Sequence, residues 1–276
     1  MVRSWAELTL DRPRIMGILN LTPDSFSDGG RYLGTEAAIA AGHAMAEAGA
    51  DIIDIGGEST RPGAEAVAPD DEQSRILPVI HSLAAAGQRI SVDTRNAATM
   101  AAALDAGAAI VNDVSALSHD PESASLIAAR RCPVVLMHMR GTPATMRELA
   151  QYENVAAEVR SELGGRLLAA ERAGIGREQI VLDPGIGFAK LPAHNVELLH
   201  NLPFLLDLEC PILVGVSRKS LIGKLAGVKE PGERGPGSLA AGLWALAHGA
   251  SILRVHDVAE TVQAVRVWSA IERGTL

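Results

Sequence analysis

Short apolar runs alternate with alanine-rich amphipathic stretches along almost the whole chain. Eight runs, at residues 14–20, 51–58, 89–94, 109–114, 133–138, 180–185, 211–217 and 252–257, are close to continuously hydrophobic and bounded by turn-forming residues. That pattern predicts strands buried on both faces, as in a parallel sheet. Between them, residues 36–48, 96–106, 155–173 and 238–248 read as helices, so strand and helix follow one another in βαβα order. The punctuation is regular, because Gly49, Gly107, Gly174 and Gly249 each follow a helical stretch where a C-terminal cap is expected.

Eight strands in 276 residues favour closure into a (β/α)₈ TIM barrel, usually about 250 residues long, over an open doubly wound sheet. The whole chain, 1–276, is expected to be a single domain. The longest irregular stretches, at 22–34, 59–71, 141–153 and 228–237, fall on the side where the strands end. Loops on that side carry function in this architecture.

Composition narrows the partners. With 47% hydrophobic and 21% charged residues, 27 glycines and 14 prolines, the chain is globular rather than disordered. A net charge of −8 excludes general nucleic-acid binding, which needs a basic face, yet a local basic cluster could still hold a small anion. There is no basic start followed by an apolar segment, and no apolar run long enough for a membrane, so a cytoplasmic protein is expected. Cys132 and Cys210 each precede a proline and lack Cys-x-x-Cys spacing, which reads as two buried thiols.

The strands end in polar residues: Asn20, Glu58, Asp93, Asn112 with Asp113, His138, Asp183, Ser217 with Arg218 and Lys219, then Arg254 and His256. Any one of them has an ordinary use as a helix cap. In a parallel barrel, however, all eight ends share one mouth, and here acids and amides come early and four cationic groups late. The sorting suggests a ligand with two chemical ends. Asp93, Asn112 and Asp183 suit a polar heterocycle, while Arg254, His256 and Asn20 suit an anion accompanied by Mg²⁺.

Several motifs make a resemblance specific. Gly17-Ile-Leu-Asn20-Leu-Thr-Pro-Asp24-Ser-Phe26-Ser-Asp-Gly-Gly30, Asp54-Ile-Gly-Gly-Glu58-Ser-Thr60-Arg61-Pro62-Gly63, Asp183-Pro-Gly-Ile-Gly187-Phe188, Ser217-Arg-Lys219-Ser220 and Arg254-Val-His256-Asp257 resemble the dihydropteroate synthases, in family order, from about Ile15 to beyond Asp257. The resemblance implies a barrel, usually a homodimer, that joins 6-hydroxymethyl-7,8-dihydropterin pyrophosphate to p-aminobenzoate. The products are 7,8-dihydropteroate and pyrophosphate, in folate biosynthesis, and in this family sulfonamides compete with p-aminobenzoate.

It also implies roles. Asp93, Asn112, Asp183 and Lys219 would bind the pterin, with Met137 as an apolar wall. Asn20, Thr60, Arg254 and His256 would hold the pyrophosphate, with Asn20 also ligating Mg²⁺. Phe26, Thr60, Arg61, Pro62, Phe188, Lys219 and Ser220 would form the p-aminobenzoate pocket, under loops 22–34 and 59–65. Asp24 is the candidate for steadying a cationic intermediate, and Asp24, Lys219, Arg254 and His256 form the expected catalytic set.

Two rivals stay open at this point: a pterin-dependent methyltransferase, and a non-catalytic paralogue that binds pterin phosphate. Other patterns are weaker. Gly185-Ile-Gly187 lacks the third glycine of a dinucleotide fingerprint, with Lys190 in its place. Gly215-Val-Ser217-Arg-Lys219 fails as a nucleophile elbow because lysine replaces the last glycine. A glycosidase built on Glu58 and Asp93 is disfavoured by an aromatic content of 3%.

Overall fold

A computed structural model describes residues 4–22, 30–60, 63–64 and 66–275. Asp24, Phe26, Arg61 and Pro62 lie outside the described residues. A two-stranded antiparallel hairpin, β1 (Ser4–Trp5) and β2 (Leu8–Thr9), comes first. The barrel strands follow as β3 (Arg14–Asn20), β4 (Ile52–Gly56), β5 (Ile90–Asp93), β6 (Ile110–Asp113), β7 (Val134–Met137), β8 (Ile180–Asp183), β9 (Ile212–Val214) and β10 (Ala250–Val255). They pair in parallel and close as β10-β3-β4-β5-β6-β7-β8-β9. The helices are α1 (Gly30–Glu47), α2 (Pro69–Ala85), α3 (Ala97–Asp105), α4 (Ser123–Arg130), α5 (Val155–Arg172), α6 (Pro192–His200), α7 (Ser220–Ala226), α8 (Gly235–Ala247) and α9 (Val258–Arg273). All eight expected strands and all four expected helices are present, with ends moved by a few residues.

Near-continuous hydrophobicity has its expected cause, since successive strand residues face opposite apolar surroundings. Ile53, Ile55, Ile90, Val92, Val111 and Val134 join the large core under the helices. Met16, Ile52, Ile110, Val135, Val181, Leu213 and Ile252 form a separate cluster inside the barrel. Trp5 completes that inner cluster at 2% exposure, and its indole N–H donates to Gln179 O at 2.8 Å. The hairpin thus plugs the end of the barrel opposite the strand C-termini. It was invisible in the sequence, because two-residue strands carry no periodicity.

The four glycines expected as caps all take left-handed backbone, with φ of 104° at Gly49, 108° at Gly107, 92° at Gly174 and 100° at Gly249. A residue with a Cβ is strained there, so each glycine ends its helix and releases the chain toward the next strand. At the other ends, Pro69 and Pro192 open α2 and α6, where a missing N–H costs nothing. These short, defined connections set the strand ends, and with them the site.

Candidate active site

Further along the inward-facing positions the barrel filling turns polar. One step above the apolar cluster, inward parity on β4, β5, β6, β8 and β10 falls on Asp54, Asp93, Asn112, Asp183 and Arg254. Register brings Gly56, Asp93 and Asn112 side by side, and Met137 beside Asp183. Four of the pterin residues expected from the sequence, Asp93, Asn112, Met137 and Asp183, therefore line one layer. Gly56 leaves room for it, since a Cβ there would lie 3.3 Å from the Asp93 Cβ.

Arg254 is the centre of this layer. Its Nε donates to Asp54 Oδ2 and its Nη2 to Asp93 Oδ2, each at 2.6 Å. Asn112 Nδ2 donates to the same Asp54 oxygen at 3.1 Å, while Asp54 Oδ1 is buried with no partner among the described residues. Burial raises the Asp93 carboxyl above its usual range; Arg254 opposes the shift and Asp54 adds to it. Arg254 thus ties β10 to the carboxylates of β4 and β5. Asp54 was missed as a site residue, although a charge inside the apolar run 51–58, on the inward parity, was a usable signal.

Asp183 accepts the Gly185 N–H at 2.7 Å, and burial raises its carboxyl against the pull of Lys219. Lys219, just before α7, donates to Ile186 O and sets its ammonium 4.6 Å from the Phe188 ring centroid. Burial pushes that ammonium down to about 8, with Asp183 opposing. Lys219 and Phe188 are therefore brought together, and exposed Ser220 follows at the start of α7.

The cationic cluster expected at the late strand ends departs from expectation in two ways. Burial drives the His256 imidazole down to about 4, so it is a neutral donor and not one of four cations. Ser217 Oγ accepts the His256 backbone N–H at 3.1 Å and lies 3.0 Å from the ring Nδ1. Arg218 is the second departure, because it forms an ion pair with Asp257. Asn20 ends β3 and Thr60 lies in the loop four residues beyond β4, both partly buried.

Three polar strand ends leave the mouth altogether, because parity or turn geometry points them elsewhere. Glu58 forms a bidentate pair with Arg95 at 2.9 and 2.8 Å and accepts Val67 N–H, closing the base of the loop after β4. Asp113 caps the next turn through Ser115 and Leu117. His138 bonds to Glu162 of α5. Each is the ordinary structural use of a polar residue after a strand.

The donor set bears on the metal. Among the described residues no group of three or more His, Cys, Asp or Glu is placed to hold one. Asn20 offers a neutral amide oxygen that makes no hydrogen bond within the described residues. It fits as a single ligand in an oxygen shell supplied mostly by a diphosphate and water.

Comparisons with known proteins agree on one family. Residues 16–256 match the family model described as pterin binding enzyme. The chain is 46% identical over 268 residues to a dihydropteroate synthase of Neisseria meningitidis serogroup C, covering 96% of this chain and 95% of that one. It is also similar to the Xanthomonas albilineans dihydropteroate synthase structure with 4-aminobenzoic acid, at 52% identity and a TM-score of 0.91, covering 96% of this chain and 95% of that one. The same enzyme in complex with 7,8-dihydropteroate matches at 49% identity and a TM-score of 0.88, with the same coverage.

Proposed function

The chain belongs to the dihydropteroate synthase family of pterin binding enzymes, and from that premise we propose how its own residues join 6-hydroxymethyl-7,8-dihydropterin pyrophosphate to p-aminobenzoate. The observation that carries the reading is the polar layer above a sealed apolar floor, with Asp54, Asp93 and Asn112 gathered around Arg254 and Asp183 beside them. Such a layer offers buried acceptors and donors to the edge of an aminopyrimidinone. Met137, buried beside Asp183, supplies an apolar wall.

The pyrophosphate would lie outward of this layer, on Asn20, Thr60, Arg254 and His256. Asn20 would ligate Mg²⁺, and the ion would arrive with the diphosphate and neutralise charge on the leaving group. Substitution at the pterin methylene carbon would proceed with pyrophosphate leaving early and the dihydropterin ring spreading the positive charge. The arylamine, resting near Phe188, Lys219 and Ser220, would then attack and lose its proton. No strong base is required, in keeping with a site of preorganised donors. Phe26, Arg61 and Pro62 complete the p-aminobenzoate pocket in this proposal, and Asp24 steadies the cation.

Two wider proposals accompany it. The family resemblance implies a homodimer, and Leu225, Trp244, Val267 and Ile271, exposed on the adjoining helices α7, α8 and α9, offer apolar surface for one. Light scattering on the purified protein would show twice the chain mass. No helix among the described residues is long and apolar enough to cross a membrane; from its small soluble substrates we propose a cytoplasmic enzyme.

The activity is tested by incubating purified protein with the dihydropterin pyrophosphate and Mg²⁺, with and without p-aminobenzoate. Pyrophosphate release coupled to dihydropteroate formation is expected. Absence of dihydropteroate would overturn the reading, and sulfonamide inhibition relieved by added p-aminobenzoate would support the arylamine pocket.

A further inference from the structure

The turn after β8 is built from unusual backbone. Gly185, Gly187 and Ala189 all have positive φ, of 66°, 87° and 46°. The chain crosses the end of β7 so closely that a Cβ on Gly185 would lie 2.0 Å from His138 O. Backbone held this way needs surroundings that over-determine it. The same turn supplies Gly185 N–H to Asp183, Ile186 O to Lys219, and the Phe188 ring beneath the Lys219 ammonium.

Lys190 is what holds it. The side chain is buried, and its Nζ donates to Gly185 O at 3.0 Å, to Phe188 O at 3.1 Å and to His138 Nδ1 at 2.9 Å. Burial pushes Lys190 down to about 7, with Asp183 opposing; in its charged form it has three N–H groups, and the three acceptors use all of them. His138 accepts at Nδ1 only with its own proton on Nε2, and Nε2 lies 3.0 Å from Glu162 Oε2, which receives that proton's bond. Burial drives the imidazole down to about 4, so it is neutral. The bond from His138, joined by Arg140, holds the Glu162 carboxyl at about 2, so it is ionised. A chain of defined donors and acceptors therefore runs from a half-exposed carboxylate on α5 to the turn inside the mouth.

We propose that Lys190 is a positioning residue for the reaction: with His138 and Glu162 it fixes the turn at 185–189, so that Ile186 O and Phe188 hold the Lys219 ammonium on the arylamine side of the mouth. The inference rests on the reading of this mouth as a dihydropteroate synthase site. Asp183 is less dependent on the turn, because β8 itself places it. A purely structural lysine would behave differently: its loss would lower Tm, because it strands three buried acceptors, and any loss of affinity would follow that fall for both substrates alike.

Lys190→Met is the diagnostic variant, with Glu162→Ala as a second variant that changes only the surface end of the chain. Wild-type protein is assayed alongside for dihydropteroate formation; if it makes none, the functional reading falls and takes this inference with it. Given a working wild type, Lys190→Met is expected to raise KM for p-aminobenzoate about tenfold, the equivalent of one charge-assisted bond. Calorimetric affinity for the dihydropterin pyrophosphate should stay near the wild-type value. Glu162→Ala should show the same split to a smaller degree, and it decides the matter if Lys190→Met does not fold. An unchanged KM for p-aminobenzoate in the folded variant would overturn the proposal. So would an equal loss of both affinities that tracks a fall in Tm.

Discussion

Arg254 Nε donates to Asp54 Oδ2 at 2.6 Å inside the barrel, joining residues 200 positions apart in the chain. Asp54 is fully buried, and its other oxygen has no partner within the described residues. The pair aims the guanidinium, whose Nη2 goes to Asp93 and whose Nη1 has no partner among the described residues. In the proposed reaction this one side chain would couple anion binding to pterin binding, and the consequences can be measured.

Asp54→Ala removes the carboxylate that orients Arg254 and leaves the guanidinium with one of its two acidic partners. Breaking a buried pair in this way costs about 3–5 kcal/mol. Urea unfolding should show that loss, and the folded fraction should bind dihydropterin pyrophosphate more weakly. Wild-type stability in Asp54→Ala would mean the pair is not structural.

Arg254→Met follows the opposite partner. The guanidinium's two carboxylate partners predict a loss of stability alongside weaker substrate binding. Without the guanidinium, nothing offsets the burial that already raises the Asp93 carboxyl. An acid whose folded pKa exceeds its unfolded value binds more protons when folded, so stability falls as pH rises between the two values. Stability of Arg254→Met should accordingly recover as pH is lowered from neutrality toward 5, measured by denaturation midpoints; a pH-independent deficit would count against the argument.

Lys219 gives a pH effect on activity. Burial has moved its ammonium from 10.5 to about 8. If the charged form holds the site, kcat/KM should decline as pH rises through about 8, and Lys219→Arg, which stays charged, should shift that limb upward. Stability runs the other way: between about 8 and 10.5 the folded state binds fewer protons than the unfolded chain, so this group favours folding increasingly as pH rises. An alkaline limb that stays in place in Lys219→Arg would assign it to another group.

Trp5→Ala separates stability from chemistry. The indole fills the apolar end of the barrel, away from the strand C-termini. Its removal should cost about 3–5 kcal/mol of stability, as large-to-small changes in cores do. Steady-state parameters measured well below the lowered Tm should match wild type, and a changed KM would show that the two ends communicate.

The sequence by itself determined the wind of the barrel, because burial on both faces leaves a mark in every strand and left-handed caps leave one after the helices. It also determined which strand ends carry polar groups, and motif order identified the family. Local pattern could not decide where those groups point. Asn112 and Asp113 are adjacent, yet parity sends one into the barrel and the other to a turn cap. His138 lies one residue beyond Met137 and bonds outward to α5. Nor could the sequence assign charge: His256 reads as a cation until burial makes it neutral, and Lys190 reads as a failed glycine until three acceptors surround it. Periodicity is a property of neighbours along the chain, whereas desolvation and hydrogen-bond pairing depend on groups brought together from distant strands, which only the closed barrel supplies.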